Sequence, residues 1–207
     1  MPRKAKVKRK TRETDISVEM NLDGRGDTDI KTPVPFFTHM LSSLSKHALF
    51  DLKIRAKGDI EVDLHHTVED VGLILGEAFK EAVGDKRGIV RCGSSSVPMM
   101  DSLATAVVDI SGRPYFKFNS TKDSFAVTGI FSKGPESMKE AFNMDLLQEF
   151  MKAFSNSAGI DLHITVPYGR DIHHAIESIF KALGRALSAA AAKDPRIKGV
   201  MSTKGRL

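Results

Sequence analysis

The sequence predicts an α+β fold made of duplicated βαβ-type half-domains. Segments that alternate apolar and polar residues are interleaved with segments at helical spacing, and the order of the two kinds is the same in both halves of the chain. The run HMLSSLSKHALFDLKI, residues 39–54, also lies without a gap over EFMKAFSNSAGIDLHI, residues 149–164, so that Asp51-Leu52 falls on Asp161-Leu162. Finally, DLHHTVED at 63–70 is answered by DIHHAIES at 171–178. Duplication of one unit is the economical account of all three observations.

In chain order, Ile16, Val18, Met20 and Leu22 alternate as a half-buried strand, and Gly24-Arg25-Gly26-Asp27 supplies the turn of an opening hairpin. A helix follows over HMLSSLSKHALF, with Met40, Leu41, Leu44 and Ala48 on one face. Leu52, Ile54 and Ala56 form the next strand, Gly58-Asp59 turns, and Ile60, Val62 and Leu64 suggest a short further strand. A long helix runs from about His65 to Val83 and closes at Gly84-Asp85. In the second half, GIVRCG and LATAVVDISG read as strands, residues 136–159 as a helix, IDLHITV as a strand and IHHAIESIFKALGRALSAAAA as the final helix. The half-domains are expected at 1–90 and 91–193. Residues 194–207, which open with Asp194-Pro195 and carry Gly199 and Gly205, form a C-terminal tail that is mobile without a ligand.

Bulk properties narrow the function. A chain of 207 residues with 41% hydrophobic content can bury a substantial core. Its single cysteine, Cys92, excludes an internal disulfide and a thiolate zinc site and points to a reducing, cytoplasmic setting. No apolar run reaches membrane-spanning length, and the basic start MPRKAKVKRKTR lacks the apolar segment of a signal peptide, so a soluble, unprocessed protein is expected. The net charge of +5 raises nucleic acid as a partner, yet the cations gather at the two ends and only 7% of residues are aromatic, which leaves few stacking platforms. A small phosphorylated ligand accounts for a few placed cations equally well.

The doubled histidines carry the chemistry. Asp63 and Asp171 stand two residues before each pair and can cap the helix that follows. His65 with Glu69, and His173 with Glu177, are four apart and share a helix face. His66 and His174 are rotated about 100° from their neighbours, so one ion does not readily take both members of a pair. Two metals, or one metal and one other partner, are needed to employ all four. Imidazole with carboxylate, and no thiolate, suits Mn, Fe, Ni or Zn, with the harder ions favoured. His39 and Glu149 coincide in the internal alignment, each at the start of a helix expected to pack beside the doubled-histidine helix of its own half, and could each complete a ligand set. His47, in KHALF, and His163, in LHI, are read as structural.

These motifs, together with Arg12-Glu13-Thr14, His39-Met40-Leu41, HALFDL, DISGRP, DIHHAIESIFKALGRAL and Ser202-Thr203-Lys204-Gly205, resemble the imidazoleglycerol-phosphate dehydratase family of histidine biosynthesis across almost the whole chain. The resemblance implies a helical layer packed between two mixed β-sheets, and a homo-oligomeric shell of 24 subunits with two Mn(II) ions per subunit at sites shared between subunits. One ion would take His65, Glu69, His174 and residue 149, and the other His39, His66, His173 and Glu177. The implied reaction dehydrates imidazole glycerol phosphate to imidazole acetol phosphate: a metal-bound imidazolate expels the hydroxyl beside the ring through a diazafulvene, and Glu13 shuttles the proton. Arg91, Arg113, Lys181, Ser202 and Lys204 would hold the phosphate, with the tail ordering over it.

The chain departs from the family pattern at Thr38, where an aspartate is usual, at Ser43, where a glutamine is usual, at Met100-Asp101, and at Glu149, where a histidine ligand is common. A catalytically weakened, metal-stapled structural shell is the alternative. Retention of Glu13, Arg91, Arg113, Lys181 and the STKG tail argues against it, since stapling needs none of them.

Overall fold

The computed structural model describes residues 3–120 and 142–206. Four strands, β1 (Lys4–Lys10), β2 (Thr14–Asn21), β3 (Thr28–Lys31) and β4 (Asp51–Gly58), form a sheet ordered β1-β2-β4-β3. Four more, β5 (Cys92–Met99), β6 (Ser102–Asp109), β7 (Tyr115–Ser120) and β8 (Asp161–Tyr168), form a second sheet in the equivalent order β5-β6-β8-β7. Each sheet is mixed: its first three strands in that order are antiparallel, and its last strand runs parallel to its neighbour. Among the described residues the helices are α1 (Pro35–Ala48), α2 (Leu64–Val83), α3 (Met144–Ala158) and α4 (Ile172–Ala191).

Local sequence explains the helix ends. Asp63 and Asp171 each accept the backbone N–H of the first histidine two residues on, as the capping pattern predicts, and Asn143 accepts from Asp145 and Leu146 at the start of α3. Proline in the first turn of α1 costs no hydrogen bond, and Gly159, at φ 67°, ends α3.

The helices form the expected layer between the sheets: α2 lies on β1 and β2, and α4 on β5 and β6. The sequence reading paired the His39 helix with the doubled-histidine helix of its own half. Instead α1 packs on α4 and α2 on α3, so both extensive helix contacts join the two halves. Close approach makes this crossing possible. A Cβ on Gly76 would lie 2.6 Å from the Phe154 carbonyl oxygen, and one on Gly184 would lie 2.5 Å from that of Leu44. Between the helices Phe37 stacks on Phe142 at 5.1 Å and meets Phe150 edge-on at 5.3 Å, all three rings being buried.

Several expected elements differ. Residues 24–27 do not turn a hairpin: β2 pairs with β1 and β4, and β3 lies beyond β4. The Asp51 carboxylate accepts N–H groups from Arg25 and Asp27, which leads the loop across the end of β4 and makes β3 parallel to it. No strand forms at 60–64, where Val62 is 70% exposed and Leu64 opens α2. The GIVRCG strand is displaced to Cys92–Met99, because Ile89 and Arg91 bond instead to the segment around the end of α4. Helix α1 starts at Pro35, ahead of the expected His39, and its C-cap Leu49 is left-handed at φ 58°. Strand β7 is not among the expected elements, β3 follows the 24–27 turn as a hairpin's second arm would but pairs with β4, and residues 136–141 of the expected third helix lie outside the described residues.

Candidate metal centre

Helix pairing decides which ligands meet. Among the described residues, one group of three or more His, Cys, Asp or Glu side chains could hold an ion: His39 of α1 with His173 and Glu177 of α4, whose donor atoms all lie within 4.8 Å of one another. The α1–α4 crossing brings His39 to the motif of the opposite half. Two imidazoles and a carboxylate fit a first-row divalent ion of the manganese type, so the donor chemistry suits the group that the sequence implies.

Within each doubled motif the two histidines have different partners. The first faces its own helix: His65 Nε2 is 3.4 Å from Glu69 Oε2, and His173 Nε2 is 3.3 Å from Glu177 Oε2. The second turns Nδ1 toward an aspartate from another segment. His66 Nδ1 lies 3.2 Å from both Asp59 oxygens, and His174 Nδ1 lies 2.6 Å from Asp101 Oδ1. The Asp59 carboxylate holds the His66 imidazolium pKa above its ordinary value. The Asp101 carboxyl is held far below its own, by the Asp171 N–H and then by His174.

Glu177 is buried, which by itself opposes ionisation, but Lys181 at 2.8 Å, aided by His39 and His173, outweighs burial and keeps the carboxyl below its usual range. Lys181 also reaches Met99 Sδ at 3.4 Å. Asp70, the last residue of the first motif, is tied to Arg9 at 2.6 Å and accepts the Thr14 hydroxyl, which fastens α2 to β1 and β2. Glu149 lies on α3 with Lys152 at 3.7 Å and is not part of a ligand group among the described residues. His47 sits near Lys181 and Arg185, and its pKa is lowered by burial first and then by those cations. His163 meets the Tyr115 ring at 5.6 Å.

The phosphate candidates divide. Arg91, Arg113, Ser202 and Lys204 line one open cavity of about 1030 Å³, whereas Lys181 stands apart beside Glu177. Arg91 has φ 75° and forms a two-pronged pair with Asp109 at 2.6 and 2.8 Å. It also donates to the Met201 carbonyl at 2.7 Å, which anchors the tail. Glu13 occupies the β1–β2 turn, where its carbonyl accepts the Asp59 N–H at 3.1 Å, and it adds to the negative potential at His66.

The altered positions have local uses. The Thr38 hydroxyl bonds that of Thr32 at 2.9 Å, closing the loop before α1. Ser43 is buried, and its hydroxyl has no hydrogen-bond partner among the described residues. Met100 is 83% exposed at φ 48°, on the turn that presents Asp101. Asp59, Asp101 and Asp109 are the site residues that sequence reasoning missed. Asp59 stands in the turn leading toward its histidine pair, but Asp101, in the β5–β6 turn, lies 73 positions before His174 and gave no such signal.

Comparison with known proteins points to one family. A family model described as imidazoleglycerol-phosphate dehydratase matches residues 32–187. A relative of that name from Pelobacter propionicus is 50% identical over 207 residues, the full length of both chains. Another from Clostridium botulinum is 52% identical over 205 residues, 98% of this chain and 97% of the relative. The crystal structure of imidazoleglycerol-phosphate dehydratase from Staphylococcus aureus aligns with TM-score 0.75 at 34% identity, over 92% of this chain and 99% of that one. That of the Pyrococcus furiosus protein in complex with (S)-C348 aligns with TM-score 0.77 at 33% identity, over 97% and 100%.

Proposed function

The chain belongs to the imidazoleglycerol-phosphate dehydratase family, and on that premise we propose that it is a manganese-dependent carbon-oxygen lyase that dehydrates imidazole glycerol phosphate to imidazole acetol phosphate in histidine biosynthesis. The observation that carries the metal part of this reading is the convergence of His39, His173 and Glu177 within 4.8 Å. With His66 these would hold one ion, and His65, Glu69, His174 and Glu149 the other. Bound manganese would supply Lewis-acid polarisation of the substrate's imidazole.

The chain's own groups do the rest. Glu13, in the turn beside Asp59 and His66, gives a proton to the departing hydroxyl and then takes one from the adjacent side-chain carbon. Arg113, Ser202 and Lys204 bind the phosphate, and Arg91, fixed by Asp109, holds the tail carbonyl that brings them together.

Lys181 and the four residues of the cavity lie in different places on one chain, which is what a phosphate site shared between subunits of a 24-subunit homo-oligomer requires. Among the described residues no helix is long and apolar enough to cross a membrane, which accords with a cytoplasmic site of action. The test is turnover of imidazole glycerol phosphate by metal-stripped protein titrated with Mn(II). Product formation that rises with metal and saturates near two ions per subunit is expected. Full metal uptake without product would refute the proposed activity.

A further inference from the structure

The two sheets share one topology, and their registers relate residues that the helical repeat does not. Ile54 of β4 pairs with Val18 of β2, and the equivalent Ile164 of β8 pairs with Ala106 of β6. The offset from β2 to β6 is therefore 106 − 18 = 88, which carries Glu13 of the β1–β2 turn onto Asp101 of the β5–β6 turn. A β-bulge between Leu103 and Thr105 adds one residue to β8, so Gly58, opposite Thr14, matches Gly169 beside Ser102 rather than Tyr168: a Cβ on either would press a hydroxyl, that of Thr67 at 1.9 Å or that of Ser102 at 2.6 Å. Asp59, one residue on, then matches Arg170.

The carboxylate that meets the second histidine thus comes from different places in the two halves. In the first it is Asp59, after β4. In the second, arginine occupies that place, and the turn residue Asp101 reaches across instead. Asp101 Oδ1 bonds His174 Nδ1 at 2.6 Å, while Oδ2 accepts the N–H groups of Arg170 and Asp171, both at 2.9 Å. The same contact has been built twice from positions that are not equivalent, so duplication alone does not explain it. It also has a consequence for Glu13: with Asp59 on His66, the turn carboxylate of the first half is left without a histidine to hold.

We infer that Asp59 and Asp101 are positioning residues that fix the Nδ1–H tautomers of His66 and His174, so that each Nε2 presents its lone pair to a cation. The inference rests on the reading of these histidines as metal ligands. An imidazole bonded to carboxylate through Nδ1–H is oriented and made more basic at the other nitrogen. Glu13, the equivalent of Asp101, is correspondingly free to move protons.

Asp101→Asn and Asp59→Ala test this; at 59, where both oxygens face the ring, only removal of the carboxylate leaves Nδ1–H without its acceptor. Asparagine keeps the shape and one oxygen, which at 101 can still accept the Arg170 and Asp171 N–H groups. Its amide NH2, turned toward Nδ1, can only donate, which shifts the histidine proton to Nε2. Nitrogen-15 NMR of the metal-free protein should show His174 or His66 changing from Nδ1–H to Nε2–H. Mn(II) affinity, read by titration calorimetry, should fall about 10- to 100-fold. Asp101→Asn should also lower the thermal midpoint, since its carboxylate holds the N–H groups of Arg170 and Asp171, so the tautomer and the affinity carry the test; Asp29→Asn, in the ion pair with Arg55 on the first sheet, should leave both of these readouts unchanged. The Asp59 side chain bonds His66 and holds no helix end, so that variant serves even if Asp101→Asn does not fold. Unchanged tautomers and unchanged affinity would overturn the inference. If His174→Ala weakens Mn(II) binding while Asp101→Asn does not, only the positioning role falls. If His174→Ala itself has no effect, the ligand reading falls with it.

Discussion

Gly184→Ala probes the contact that assembles the centre. Gly184 lies where α4 crosses α1, and an added Cβ would stand 2.5 Å from the Leu44 carbonyl oxygen and 3.1 Å from the Ala48 nitrogen. Ordinary contact begins at 3.4 Å, so the deficit is 3.4 − 2.5 = 0.9 Å. Both neighbours are backbone atoms of α1 and cannot rotate away, so the helix itself must move. Overpacking of this kind costs about 1–3 kcal/mol. Against it stands the helix propensity of alanine, which favours the variant by about 1 kcal/mol. At the tight end of the clash range the net should be a loss of about 1–2 kcal/mol, or about 2–8 °C in the thermal midpoint for a chain of this size. Since α1 carries His39 and α4 carries His173 and Glu177, Mn(II) affinity should fall in the same variant. Urea unfolding and metal titration measure the two effects. Gly199→Ala, whose Cβ would meet nothing within 4 Å, is the control. If Gly184→Ala were as stable as the parent or more so, the idea that this crossing needs a bare backbone would be refuted.

Three further outcomes follow from the packing and the charges. Phe37→Ala, which opens the ring cluster with Phe142, Phe150 and Phe180, should destabilise by about 3–5 kcal/mol in denaturant titration. Asp51 has its pKa lowered, chiefly by the Arg25 N–H and then by Asn21 and Asp27. A depressed carboxylate stabilises the fold above its unfolded pKa, here the ordinary aspartate value of 3.8, and loses that contribution as pH falls through the lower folded value. Asp51→Asn should therefore unfold at lower urea than the parent at pH 7, with the gap closing as the parent is acidified below that range; a constant gap would contradict this. Glu149→Ala should lower the Mn(II) bound per subunit from about two toward one, measured by elemental analysis, and unchanged stoichiometry would remove Glu149 from the ligand set.

Much of this arrangement is legible in sequence because its signals are local. A strand announces itself at Ile16-Val18-Met20 by period, a helix at Asp63 or Asp171 by its cap, and the duplication by direct overlay. What escaped notice depends on residues far apart. Nothing near Gly24-Arg25-Gly26-Asp27 says that Asp51 will gather its N–H groups and send β3 to the far side of β4. Ser94 and Ser96 disguise β5 because one face of that strand is solvated, and β7 is short. The pairing of α1 with α4 rests on Gly184 meeting Leu44, 140 positions away by subtraction, and a glycine inside an alanine-rich helix gives no hint of its neighbour. For the site, spacing showed His39 and Glu177 only as residue types, and the family resemblance alone placed them with His173; their meeting in the structure follows from that crossing. Asp59 and Asp101 were hidden because each reads as an ordinary turn residue until the histidine ring is seen against it.

The most direct measurement is anomalous diffraction at the manganese edge from crystals of the metal-loaded protein. A peak is expected within bonding distance of His39, His173 and Glu177, with Nε2 of His66 supplied to it by this or a neighbouring subunit. Manganese bound elsewhere, with those three side chains left in the His173–Glu177 and Glu177–Lys181 pairings, would contradict the proposed centre.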